Sequence, residues 1–404
     1  MVLDGLKKRL YLLSFIDEFA PMYVLFTLWF NDNGISTADL SIVFIVWSIL
    51  GLVLELPSGA LADIVDRRRL LGAALALRAT GIGIWLISPS LPALIAGAVL
   101  WSMHDALASG AREALIHDEL DAIDQAHRYG VVMARIDQFN KLGLAGSTFF
   151  AAAIIGLGAS IEAVGWINVA VAGVSVALVL HLPDVQWVTT GDDASVRRGW
   201  WATLRAGSLA ARRNPVLLRL LLMGSTISGL MVVDEYIPLL ARLNGASNAT
   251  IPLIVFVVWI GLIVGGELAA RRPDISSSTL ASLVLGGTAT MAFAIAIESP
   301  WALMAIGVGY APVQAAWIIA DARFQAAAPS TTRATATSVR GFGAALISAA
   351  AFAIVGLLAQ GDDPTAGLHW IVGTLALSAF AIPATVPKRA PTAPPSTAQR
   401  TTKR

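Results

Sequence analysis

The side chains that could do chemistry in this sequence are acids and one histidine set inside long apolar runs: Asp17, Glu18, His104, Asp105, Asp234 and Glu235. A charged group at the centre of a membrane-spanning helix costs about 2.5–3.5 kcal/mol on insertion scales, so it needs a partner or a water-filled cavity. A carboxylate in a partly dry cavity can take and release a proton near neutral pH, which suits it to couple solute movement to a proton gradient. At about 1.5 Å per residue, Asp17, Glu18, Glu55, Arg78, His104, Asp105 and Arg135 all lie on the order of 10 Å inside the nearest basic helix end. Acids and bases alternate in this layer, with Glu267 and Arg340 as its members in the second half of the chain. Two readings are open. In one the layer is structural, with Arg78 and Arg135 neutralising Glu55, Asp17 or Asp137. In the other an acid carries a proton, with Asp17 and Asp105 ahead of Asp234. Asp17 and Glu18 project about 100° apart on a helix, so one of the two faces any given partner.

The elements that must position these groups are twelve apolar runs, each judged against the roughly 20 residues of a bilayer crossing. They cover about 10–31, 40–61, 70–88, 91–112, 129–157, 161–182, 216–241, 250–270, 277–297, 300–323, 334–359 and 366–386. With 56% hydrophobic and 14% charged residues, and a mean hydropathy of +0.71, the chain is too apolar for a soluble domain of its length. The expected class is an all-α polytopic membrane protein, lodged in the lipid bilayer. A net charge of +1 with bases confined to helix ends gives no footing for nucleic acid. The absence of cysteine excludes disulfides and thiolate metal sites, and no metal-ligand cluster, nucleophile elbow or phosphate loop appears. No cofactor, metal or enzymatic activity is expected. Lys7-Lys8-Arg9 precedes an apolar run of full spanning length, so the first helix reads as an uncleaved anchor.

Glu55-Leu-Pro-Ser-Gly-Ala-Leu-Ala-Asp63-Ile-Val-Asp-Arg67-Arg-Arg69 lies between the second and third runs and reads as a tight charged loop. The spacing Gly59-x-x-x-Asp63-x-x-x-Arg67-Arg68 resembles the loop between the second and third helices of the major facilitator superfamily. Asp66 stands where that pattern has glycine, so the turn must be made differently here. The resemblance implies that Asp63 and Arg67 form a latch between two halves, with Glu113 and Asp118 as partners. It also implies that the first, fourth, seventh and tenth helices line a central cavity. Tyr23, Trp101, Tyr236, Tyr310, Gln314 and Trp317 would then furnish an apolar or cation-accepting pocket, or else simply pack helices and interfaces.

An internal duplication fits that plan. Ile42-Val-Phe-Ile-Val-Trp47 followed by Glu55 matches Ile254-Val-Phe-Val-Val-Trp259 followed by Glu267, and Asp17-Glu18-Phe-Ala-Pro21 echoes Asp234-Glu235-Tyr-Ile-Pro238. The expected domains are a six-helix bundle over 1–182, a linker with an amphipathic helix over 183–215, a second bundle over 216–386 and a disordered tail over 387–404. Basic residues at Lys7 to Arg9, Arg67 to Arg69, Arg112, Arg128, Arg197 to Arg219, Arg271, Arg272, Arg323 and Arg333 fall on one side, with only Arg242 near a helix end opposite. By the positive-inside bias both termini are cytoplasmic. The functional expectation is a monomeric secondary transporter in the cell membrane, moving a small molecule by alternating access with proton-coupled export. A metabolite importer or facilitator, or a non-transporting sensor, is the alternative. A cysteine placed at Asp193 is expected to resist an impermeant thiol reagent applied outside intact cells; labelling there would invert the orientation.

Overall fold

The structure is a computed structural model that describes residues 2–125, 128–181, 214–328 and 333–385. The expected linker helix around Trp200 and Trp201 and the expected disordered tail lie outside the described residues. Among the described residues, eleven helices are long and apolar enough to cross a membrane. The first span completes twelve, because it is broken into Val2–Asp17 and Phe26–Asp32. The seventh is broken in the same way, as Pro215–Leu230, a short tight turn Val233–Tyr236, and Ile237–Leu243.

Both breaks fall on the Asp-Glu-x-x-Pro motif. Pro21 has no N–H to give an i→i−4 bond, and the chain from Glu18 to Leu25 runs as successive turns such as Tyr23 N to Ala20 O at 3.0 Å. Inside a bilayer the freed backbone groups must find partners within the protein. The Asn168 side chain of the sixth span accepts from Met22 N at 3.0 Å. In the second half Ser348 of the eleventh span donates to Gly229 O at 3.1 Å.

The expected loop before Arg67 is helix instead. The second span runs unbroken from Thr37 to Ile64, started by a Ser36–Asp39 capping box, and only Val65 and Asp66 separate it from the third, Arg67–Ile87. A mostly apolar stretch satisfies its backbone more cheaply as helix than as loop at this depth. Val65 is extended and Asp66 caps the next helix by accepting from Arg69 N at 2.9 Å, which is how the turn is made without glycine. The fourth helix, Leu91–Asp121, likewise continues well past residue 112.

The remaining spans are Tyr129–Gly156, Ile161–Leu180, Thr250–Arg271, Ser277–Ala296, Ala305–Ala327, Arg333–Leu358 and Thr365–Thr385. In the first half the third span packs on the fourth and sixth, the second on the fourth, and the first on the fifth and sixth. The second half repeats this with every ordinal raised by six. Between halves the second span meets the eleventh and the fifth meets the eighth, a pair of contacts that the same exchange interconverts. Two pseudo-symmetric six-helix bundles result. Spans eight, nine and ten lie backbone to backbone: a Cβ on Gly261 would collide with Gly307 O, and one on Gly287 would fall 2.5 Å from Gly309 O.

The halves are bolted together at the end opposite Arg67–Arg69, where the second helix begins. Arg242 pairs with Asp32 across the divide. Asp362 adopts a left-handed backbone (φ 66°) and its carboxylate accepts from Thr37 N at 2.8 Å, while Thr37 Oγ1 donates to Asp362 O at 2.8 Å. One turn deeper, Ser41 Oγ and Tyr236 OH lie 2.7 Å apart, and Phe44 packs on Tyr236 and on Phe352. Asp362→Ala removes a charged acceptor from this seal and should shift the balance toward opening there by about ten- to a hundredfold. The check is the labelling rate of a cysteine at Ser348 by an impermeant reagent applied from that side; an unchanged rate would show that the seal does not rest on Asp362.

Candidate functional site

The duplicated acids end in opposite environments. In the first half Asp17 closes the Val2–Asp17 helix and is 2% exposed. Arg78 of the third span reaches it with Nη2 2.5 Å from Oδ1 and, with the same nitrogen, 2.5 Å from the Asp17 carbonyl. Arg112 of the fourth span pairs with Oδ2. His104 Nε2 stands 3.8 Å from Oδ1, and its Nδ1 lies 3.0 Å from Asp105 Oδ1. Asp105, about half exposed, also accepts from Trp47 Nε1 at 3.3 Å. Arg78 further lies over the Trp101 ring, 5.9 Å from its centroid, an arrangement that favours a desolvated cation. Asp17 is therefore fully occupied by cations, and Arg112 is a partner that sequence spacing did not single out.

In the second half Asp234 and Glu235 lie in the turn Val233–Tyr236, both half-buried. Tyr23 OH donates to Glu235 Oε1 at 2.7 Å, and Tyr310 OH makes a longer contact of 3.4 Å to Asp234 Oδ1. Among the described residues no lysine, arginine or histidine pairs with either acid. Two adjacent carboxyl groups without a counter-charge are costly to keep both ionised, and uptake of one proton removes that cost.

A cavity of about 370 Å³ lies between the halves, on the Arg67 side of the Tyr236–Phe44 seal. Its walls come from the second span (Phe44, Trp47, Ser48), the seventh (Val232, Glu235) and the eleventh (Ala345, Ser348, Phe352). Among the described residues Glu235 is its only ionisable lining group, and it also lines a small crevice behind the cavity with Tyr23, Thr27, Asp234 and Trp259.

Residues 10–349 match the family model of the Major Facilitator Superfamily. The chain belongs to this superfamily. A search of curated proteins gave no match, but solved structures of facilitators superpose over nearly the whole chain. A mutant form of the nucleoside transporter NupG does so with TM-score 0.76 at 14% identity, covering 95% of this chain and 100% of its own. A bacterial homolog of the human lysosomal transporter Spinster, inward-facing and unoccupied, gives 0.67 at 17%, covering 96% and 98%. A D-xylose–proton symporter gives 0.63 at 15%, covering 95% and 97%. These likenesses concern the fold.

Measured against what membership implies, this facilitator distributes its residues differently in places. Among the described residues the fourth and tenth spans contribute none to the lining of the larger cavity; the second and eleventh take that role beside the seventh. Trp101 is buried among Tyr23, Trp47 and Trp85. Tyr236 belongs to the seal, and Tyr310 is buried with its hydroxyl toward Asp234. Gln314 packs under Gly265, and Gln314 and Trp317 are half-buried away from the larger cavity. Of the charge layer, Arg340 pairs with Asp321 across the eleventh and tenth spans. Arg135 is exposed and donates to Gln138 at 2.8 Å, and Glu267 is exposed and pairs locally with Arg271 at 2.5 Å, so neither joins the layer. Glu18 sits near Asp17 against Gly143. The side chains of Glu55, Asp63, Glu113 and Asp118, and the surroundings of Gly59, lie outside what the structure describes; Arg67 and Arg68 are half-buried at the start of the third span.

The asymmetry between the two acid pairs is testable by folding. Asp17→Asn leaves the buried Arg78 and the half-buried Arg112 uncompensated and should destabilise the protein by about 3–5 kcal/mol. Asp234→Asn keeps an oxygen that can accept the long bond from Tyr310 and should cost no more than about 1 kcal/mol. Thermal unfolding in detergent decides; equal losses would remove the distinction.

Proposed function

We propose that this facilitator is a secondary transporter of the cell membrane that moves a small amphipathic organic cation by alternating access, coupled to protons through Asp234 and Glu235. The observation that supports this most directly is the position of Glu235, an acid without a basic partner among the described residues, on the wall of an otherwise apolar and aromatic cavity. Phe44, Trp47 and Phe352 offer flat apolar faces to the body of a solute, and aromatic faces beside a carboxylate favour a protonated amine. A cation and a proton that compete for one carboxylate exchange for each other, so export by antiport follows from the same group. The basic helix ends support cytoplasmic termini, in which case the seal at Asp32, Thr37 and Asp362 is the outer gate and the cavity faces inward. The two bundles, over 1–182 and 216–386, would rock about the cavity within a single chain. Asp63 and Arg67 would act on that equilibrium at the inner end.

Sugar–proton symport in a structural neighbour makes import the second reading. It would call for polar walls, and the described walls supply only Ser48 and Ser348 besides Glu235.

Reconstituted in proteoliposomes, the protein should move organic amines when a pH gradient is imposed. Glu235→Gln should abolish that response, at least about a hundredfold, as expected for removing a positioned proton carrier, while Glu235→Asp keeps part of it. Wild-type transport indifferent to the gradient, or a Glu235→Gln variant that still follows it, would refute the assignment.

A further inference from the structure

The crevice behind the cavity contains groups that the ion pairs and the cavity wall do not account for. It is lined by Tyr23, Val24, Phe26, Thr27, Asp234, Glu235, Pro238, Val255 and Trp259, with space of about 10 Å³ for the centre of a water-sized sphere. That is room for one small particle and excludes an organic substrate. Thr27 is 1% exposed, and its Oγ1 has no protein partner. Trp259 Nε1 from the eighth span is also buried without a protein partner. Leaving two polar atoms in this condition beside two carboxyl groups is unfavourable, since a buried donor without an acceptor costs about 1–3 kcal/mol. The two broken spans bring these groups together: Tyr23 and Thr27 flank the resumption of the first helix, and Asp234 and Glu235 sit in the gap of the seventh.

We infer that this crevice binds a single water molecule, held by Thr27 and Trp259 between Asp234 and Glu235, through which the two carboxyl groups share one proton. The donor set favours water over a metal cation. Trp259 Nε1 can only donate, so its partner must present a lone pair, which a bound sodium ion lacks. A water accepting from Trp259 and from the protonated carboxyl of Glu235 has two protons to give, one to the Asp234 carboxylate and one to the Thr27 oxygen, which completes its shell. Transfer then balances without any further reactant. The carboxyl O–H of Glu235 gives its proton to the water oxygen as a different proton leaves that water for an Asp234 oxygen, and the water is regenerated. The titratable groups facing the pair are Tyr23 from the first span and Tyr310 from the tenth. The second, eighth and eleventh spans bring no described charged side chain to it. Because Glu235 lines both spaces, a cation arriving in the cavity can displace its proton inward to Asp234 instead of into the solvent of the cavity.

This inference rests on the proton-coupled reading, and the experiment separates the two. Thr27→Val is nearly isosteric and removes only the hydroxyl; Thr27→Ser restores it, and Trp259→Phe removes the indole donor. In proteoliposomes, Thr27→Val and Trp259→Phe should slow gradient-driven transport by about tenfold and move its pH midpoint by about one unit, the equivalent of one hydrogen bond to a carboxyl group. Thr27→Ser should behave as wild type, and binding of the amine at saturating pH should be unchanged in all three. Infrared difference spectra on a pH step should show the carboxyl bands displaced in Thr27→Val and not in Thr27→Ser, a readout that survives even if a variant transports poorly. If wild-type transport follows the pH gradient and Thr27→Val keeps the wild-type midpoint and carboxyl bands, the water site is refuted and the coupling reading stands. If wild-type transport ignores the pH gradient, the coupling reading itself falls. A dependence on sodium that Thr27→Val abolishes would overturn the water in favour of a metal ion.

Discussion

A carboxylate held in an apolar slab must be offset, and the two halves of this protein meet that demand in opposite ways. The duplicated Asp-Glu-x-x-Pro motif places acids at a helix break in both, where released backbone already needs partners. In the first half Arg78 answers both needs at once, binding the Asp17 carboxylate and the carbonyl at the end of the same helix. Arg112 and His104 complete a closed electrostatic unit. In the second half no base among the described residues occupies the corresponding position, and tyrosine hydroxyls take its place. One copy of the motif is enclosed by bases, while the other is met by neutral hydroxyls, and the proposed coupling rests on that difference.

That division places the acid without a basic partner among the described residues next to the contacts that join the two halves. The seal at Thr37, Ser41, Tyr236 and Asp362 and the cavity wall at Glu235 meet in the seventh span, since Tyr236 and Glu235 are neighbours in sequence. In the proposed mechanism, a proton gained or lost at Glu235 would act on the turn that presents Tyr236 to Ser41. The shortest physical connection between the cavity wall and the seal is thus that short tight turn.

Much of this was legible from the sequence. Hydropathy located nearly every span to within a few residues, since the length of apolar run that a bilayer demands leaves little freedom. The Asp-Glu repeat identified corresponding places in the two halves. What sequence missed had definite causes. The breaks in spans one and seven were signalled by Pro21 and Pro238, yet continuous hydropathy concealed them, because a broken helix in a membrane is as apolar as a whole one. Arg112 read as a basic helix end, and the helix in fact continues to Asp121, which draws that arginine inside. The cavity walls on the second and eleventh spans are made of Ser, Ala and aromatic residues that are indistinguishable, by type, from helix packing. Arg135 and Glu267 stood at the right depth but on the wrong face, and the rise per residue fixes depth without fixing azimuth.

The glycine contacts among spans eight, nine and ten carry a mechanical meaning. Helices touching backbone to backbone have no side-chain layer to compress or repack, so the three act as a stiff beam. The first and seventh spans, interrupted halfway, are joints by comparison, each with several residues not held in the helical hydrogen-bond ladder. Within the seventh span, Met231–Tyr236 is therefore the part with the least regular hydrogen bonding to resist bending. The beam gives the joint something firm to bend against.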